Sequence, residues 1–127
     1  MKKQQRDAFR VHHMVQACEK IARFIAGKEF NDLLADDLLV SGVERQLEIV
    51  GEAAASHVSA ETYVEWPLVD WRGMKSARNF IAHKYFRADY AKIWDTVEHG
   101  LPVELAALKD VLNALEARFG TPDDARV

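Results

Sequence analysis

Apolar residues recur along this chain at steps of three and four, and nowhere do they alternate as a half-buried strand requires. Met14, Cys18, Ile21 and Ile25 line one face of a helix expected over Asp7 to Ala26, with Gly27 as its stop. Val40, Val43, Leu47, Val50 and Ala54 repeat the pattern in a second helix from Asp32 to His57. Gly42 and Gly51 each weaken that helix by up to about 1 kcal/mol relative to alanine, so they mark the close approach of a neighbouring backbone. Ser59 to Glu65 reads as a turn or helical fragment. Trp66-Pro67 then punctuates the chain, because a residue before proline avoids helical angles. A third helix is expected from Val69 to His83 or Tyr85, with Asp70 at its positive end. A fourth spans Ala88 to Leu115, kinked or broken at Gly100-Leu101-Pro102. This pattern predicts an all-α, up-and-down bundle of four to five helices, one domain over 1–120 followed by a flexible tail at 121–127.

With 127 residues, 49% apolar and 29% charged, the chain is long enough to bury a single core and far from a disordered composition. The N-terminus lacks the apolar stretch of a secretory signal, and no window approaches a membrane span, so the expected location is the cytoplasm. Cys18, the single cysteine, rules out an intrachain disulfide and reads as packing. His12 and His13 point about 100° apart on a helix and have no partner at ligand spacing, so no metal site is expected. Trp66, Trp71 and Trp94 suit base stacking, or more ordinarily core.

The net charge of −3 conceals an asymmetry. From Trp71 to Ala88 the chain carries Arg72, Lys75, Arg78, Lys84 and Arg87 and no acid, so this window holds +5 and the remainder −8. Within it lies ARNFIAHKYF, Ala77 to Phe86. On a regular helix Arg78 and Tyr85 fall nearly on one line and Asn79 and His83 on an adjacent one. Arg78 offers a permanent planar charge suited to phosphate oxygens, and His83 a side chain that titrates near neutrality. RNA carries its own nucleophile, the 2′-hydroxyl, so His83 as base and Arg78 as charge stabiliser are enough for metal-free cleavage. Two copies of the pair around one cleft, in a symmetric dimer, would supply both base and acid. Trp71, Met74, Phe80, Ile81 and Phe86 would suit the interface of such a dimer.

These residues resemble a known family. Arg78-Asn79 followed by His83-Lys84-Tyr85 matches the Rx4HxY signature of HepT-type toxins in the HEPN superfamily, and RQLEIVGEAA, Arg45 to Ala54, is similar to the family's second helix. Trp71, Asp89 and Leu101-Pro102 fall in the family's order, and the resemblance runs from about Phe9 to Leu112. It implies a homodimeric helical ribonuclease that needs no metal or cofactor, with Arg78 and His83 catalytic and Asn79 positioning. It also implies an MNT-type nucleotidyltransferase antitoxin that transfers AMP to Tyr85. Arg72, Lys75, Lys84 and Arg87 would then bind RNA phosphates, with Arg45 and Glu52 as supports. Lys84 departs from the glutamate common at its position and makes the motif more basic. The competing expectation is a non-catalytic helical partner of the nucleotidyltransferase.

Overall fold

The apolar stripe of the first segment becomes α1, Lys3–Ile25, which begins four residues before the expected start. Ala8, Val11, Met14, Cys18 and Ile21 are buried along it, and Ile25 is half-buried at its end. Gly27 takes φ +71°, which an L side chain rarely adopts, and the Lys28 amide closes the turn on the Ile25 carbonyl at 3.0 Å. The computed structural model describes residues 3–121, and every regular element within them is helical. The tail expected at 121–127 lies, but for Thr121, outside the described residues.

The second expected helix is divided. α2, Phe30–Ala35, ends at Asp36, whose extended angles and carboxylate, accepting from the Leu39 amide at 3.1 Å, make it the cap of α3, Asp37–Glu52. Aspartate competes well for a cap and poorly for a helix interior, which explains the break. α3 continues as a π-turn over Ala53–His57, closed by the Val58 amide on the Ala53 carbonyl at 3.0 Å.

A short helix, α4 (Ala60–Glu65), follows where the polar fragment was expected, and Trp66 leaves helical angles before Pro67. α5 covers Trp71–Ala82, and the Asp70 carboxylate caps it through the Gly73 amide at 2.9 Å. α6 (Arg87–Asp95) leads through a second π-turn, Thr96–Gly100, into α7 (Leu101–Phe119). The interruption expected at Gly100-Leu101-Pro102 takes the form of this π-turn rather than of a break in the helix. Gly100 and Leu101 stay helical, and Pro102 stands at the start of α7 just past the π-turn, where its missing donor interrupts no regular ladder.

α1 packs between α3 and α7, and α3 in turn carries α5 on its other flank. Leu47, Leu108, Val111 and Leu115 close the core, each fully buried side chain contributing about 2 kcal/mol by removal from water. Cys18 belongs to this core. Burial, then the charges of Glu104 and Glu19, push its thiol up to about 12, so it stays protonated and inert. Trp71 and Trp94 are also core residues, whereas half-buried Trp66 lies under the Arg118 guanidinium at 5.7 Å.

Candidate active site

α5 turns Trp71, Met74, Ala77 and Ile81 inward against α3 and leaves Arg78 on the flank. Gly51 permits this approach. A Cβ there would stand 2.8 Å from Arg78 Cγ and 3.1 Å from the Met74 carbonyl oxygen, so the reading of this glycine as a place of close backbone contact agrees with the packing. At Gly42 the near neighbour is instead the Phe24 ring, at 3.3 Å. Arg78 Nη1 donates to Glu52 Oε1 at 2.5 Å. Its Nε is buried and has no acceptor among the described residues. One end of the guanidinium is thus anchored while another donor has no partner among the described residues. Arg45, paired with Glu48 on its own helix at 3.4 Å, makes no ion pair or hydrogen bond to the motif among the described residues.

The motif crosses the end of a helix rather than running along one. α5 stops at Ala82, and His83 is its C-cap, exposed, at φ −116° and ψ 29°. The helical line joining Arg78 to Tyr85 therefore does not exist. What ends the helix is Asp89, whose carboxylate accepts from the Tyr85 amide at 2.8 Å and the Phe86 amide at 2.9 Å and so begins α6. Those two amide donors hold the Asp89 carboxyl below its ordinary value of 3.8. The turn presents Tyr85 and Phe86, 76% and 73% exposed, to solvent. Asn79 is exposed one turn before His83.

The four expected phosphate-binding cations divide into two groups. Lys84 Nζ lies 2.9 Å from Glu44 Oε1 and donates to the Ile81 carbonyl at 3.3 Å. Arg87 donates to Asn31 Oδ1 at 3.2 Å and stacks over the Phe30 ring at 5.0 Å. Arg72 and Lys75 are exposed and line a depression with Tyr63, Trp71 and Ala54. The positive field read from the sequence is consequently weaker than +5, because Glu44 and Glu52 of α3 stand against Lys84 and Arg78. Sequence pattern does not single out Glu44, although it stands eight residues before Glu52, a little over two turns along the same helix. The expected interface residues need correction too. Trp71, Met74 and Ile81 are spent on the chain's own core and Phe80 is half-buried against it, leaving Phe86 exposed.

The chain is thus an all-helical bundle in which the Arg78-x4-His83-x-Tyr85 sequence spans the end of α5. The family model described as "Ribonuclease HepT-like" matches residues 14–115, and the chain belongs to that family. Among its relatives is a HepT ribonuclease, provisionally so named, of Thermococcus cleftensis, 33% identical over 70% of this chain and 80% of the relative. A protein of Caldanaerobacter subterraneus subsp. tengcongensis provisionally named as an RNase is 29% identical over 80% of this chain and 90% of its own length. One of Methanocaldococcus jannaschii, with a similar name, is 28% identical over 84% and 87%. No solved structure matches the chain significantly. No described helix is long and apolar enough to cross a membrane.

Proposed function

We propose that this chain is a metal-independent endoribonuclease, the cytoplasmic toxin of a HEPN/MNT pair, and that it acts as a homodimer. His83 of one copy removes the 2′-hydroxyl proton of RNA. The 2′-oxygen attacks phosphorus and the bond to the 5′-oxygen breaks, leaving a 2′,3′-cyclic phosphate. His83 of the second copy returns a proton to the departing 5′-oxygen. The Arg78 guanidiniums stabilise the charge that develops on the phosphoryl oxygens. Asn79, exposed on the turn before His83, positions the substrate.

The observation that carries this reading is the division of labour at the end of α5. Arg78 is braced against Gly51 and Glu52 with an unspent buried donor, while His83 and Tyr85 stand free in solvent on the following turn. That exposure also suits Tyr85 to modification. Its oxygen attacks the α-phosphate of ATP bound to the nucleotidyltransferase antitoxin, pyrophosphate leaves and the phenolic proton is lost. The added anion occupies the phosphate site and repels RNA.

Removal of the base or of the charge stabiliser typically costs about 10²- to 10⁴-fold. The expected result is that His83→Ala and Arg78→Ala each lose RNA cleavage by that order, with chelator present throughout and helical content unchanged. Parental cleavage by His83→Ala would defeat the assignment. The Glu52–Arg78 pair favours one second reading, in which Arg78 stays engaged and the chain serves only as a helical partner of the nucleotidyltransferase. That reading requires the purified chain to leave RNA uncut.

A further inference from the structure

The π-turn at the end of α3 carries the chain from the motif into a second basic region. Five residues past Glu52, roughly 7 Å along a helix, His57 enters a cavity of about 270 Å³ lined also by Lys3, Arg6, Arg10, Ser56 and Ser59. The lining carboxylate is Asp7, 1% exposed, and its oxygens are already used. They accept from the Ser59 amide at 3.0 Å, the Ser59 hydroxyl at 2.5 Å and the Thr62 hydroxyl. Lys3, Arg10 and His57 form no ion pair among the described residues, and the Arg10 guanidinium lies over the Phe9 ring at 5.4 Å. Lys3, Arg10 and His57 thus share one concave surface.

The cavity and the depression lined by Arg72 and Lys75 are walled by successive residues of one π-turn, Ala53–His57. Ala54 and Ala55 of the π-turn form a wall of that depression, and Ser56 and His57 of the same turn a wall of the basin. Tyr63 lines that depression too. Its ring packs against Trp71 at 5.2 Å, its hydroxyl is buried without a hydrogen-bond partner among the described residues, and its pKa is raised by burial and then by the Asp7 charge. Arg72 lies six residues before Arg78 on α5, roughly 9 Å along the axis at 1.5 Å per residue. Lys75 and Arg72 precede Arg78 on α5 and share a depression with the Tyr63 ring, and the π-turn that walls this depression also walls the Lys3–Arg10–His57 basin. Single-stranded nucleic acid uses such a sequence of cation, ring and cation, with phosphates against the charges and bases against the ring.

Resting on the ribonuclease reading, we propose that the basin beside Lys3, Arg10 and His57 is a distal phosphate subsite for single-stranded RNA, which holds the substrate several nucleotides from the bond cut at His83. An acidic protein docking in the same basin is the rival outcome.

The test is RNA binding by the full chain carrying His83→Ala, so that the RNA survives, followed by fluorescence anisotropy from low to moderate salt. The probes are a labelled 12-nucleotide single strand and a trinucleotide too short to span motif and basin. Adding Lys3→Ala and Arg10→Ala is expected to weaken the 12-mer about 10-fold and to reduce the slope of log affinity against log salt by about 1.4, or 0.7 for each phosphate contact. The trinucleotide should lose far less. Arg10→Lys, which keeps the charge, should retain the slope. Exposed Lys3→Gln alone should lower it by about 0.7, which guards against a folding defect at Arg10. An unchanged 12-mer affinity and slope, or equal losses for both lengths, overturns the subsite. If the parent cuts RNA and only these losses fail, the subsite alone falls. If the parent neither binds nor cuts RNA, the ribonuclease reading falls and takes the subsite with it.

Discussion

The seam between α3 and α5 and the basin at the start of α1 treat charge in opposite ways. At the seam, carboxylates of α3 meet cations of α5 and of the turn that follows it: Glu52 with Arg78, Glu44 with Lys84. In the basin the buried carboxylate, Asp7, is spent on hydroxyl and amide donors, and Lys3 and Arg10 beside it form no ion pair among the described residues. Counted along the sequence, the order is reversed. The motif window looks strongly basic and the N-terminal helix unremarkable, because the acids that neutralise the motif come from a different helix. Charge density in sequence measures field only when nothing folds back on it.

Removal of one acid from each region should break the comparison most forcefully. Asp7→Ala leaves the fully buried Thr62 hydroxyl and the Ser59 amide without their acceptor, and the expected loss is about 3 kcal/mol of stability. Glu52→Gln removes a partly exposed pair and should cost about 0–1 kcal/mol, well below the Asp7 effect. Urea unfolding of both variants decides it. Equal losses would mean that Asp7 is not the structural acid described here.

Smaller effects should follow from the two glycines of α3. Gly51→Ala forces Arg78 Cγ and the Met74 carbonyl apart, at about 1–3 kcal/mol, against about 1 kcal/mol regained from alanine's helix preference. Gly42→Ala meets only an aromatic ring edge that can give way, and should be neutral or stabilising by up to about 1 kcal/mol. Thermal melts of the pair therefore diverge in sign. RNA cleavage by Gly51→Ala should also fall by more than its lost stability explains, since the displaced atom belongs to Arg78. If Gly51→Ala melts above the parent temperature, the close approach of α5 is wrong.

Much of the bundle was legible because burial follows period. The stripe Met14, Cys18, Ile21 is core as read, and Val43, Leu47 and Val50 form the buried face of α3. Gly27, Asp70 and Trp66-Pro67 punctuate the chain where local chemistry says they should. Three features escaped, each because a distant or competing interaction decided it. Asp36 caps rather than continues a helix. The π-turn before Pro102 absorbs what would otherwise be a break. Asp89 draws the Tyr85 and Phe86 amides out of α5's path. Of the site, the motif residues were legible as types, but the anchoring of Arg78 by Glu52 and of Lys84 by Glu44 depends on how α3 lies against α5, and periodicity alone cannot place two helices in register.

The smallest effect probes the turn that sets His83 and Tyr85 apart from Arg78. The Asp89 carboxyl is depressed by the two amides it accepts from, so its folded value lies below its unfolded one. The stabilisation it gives is then fully present above the ordinary carboxylate value and fades as pH falls through the folded one. At neutral pH, Asp89→Ala should speed hydrogen exchange at the Tyr85 and Phe86 amides while amides of α3 exchange as in the parent. As pH is lowered past 3.8, parent and variant should converge at those two positions, because protonation removes from the parent what the substitution removed from the variant. Seam acids such as Glu52 should show no such link to these two amides. A turn that keeps its protection in Asp89→Ala at neutral pH would show that packing, not this carboxylate, ends α5 and presents Tyr85.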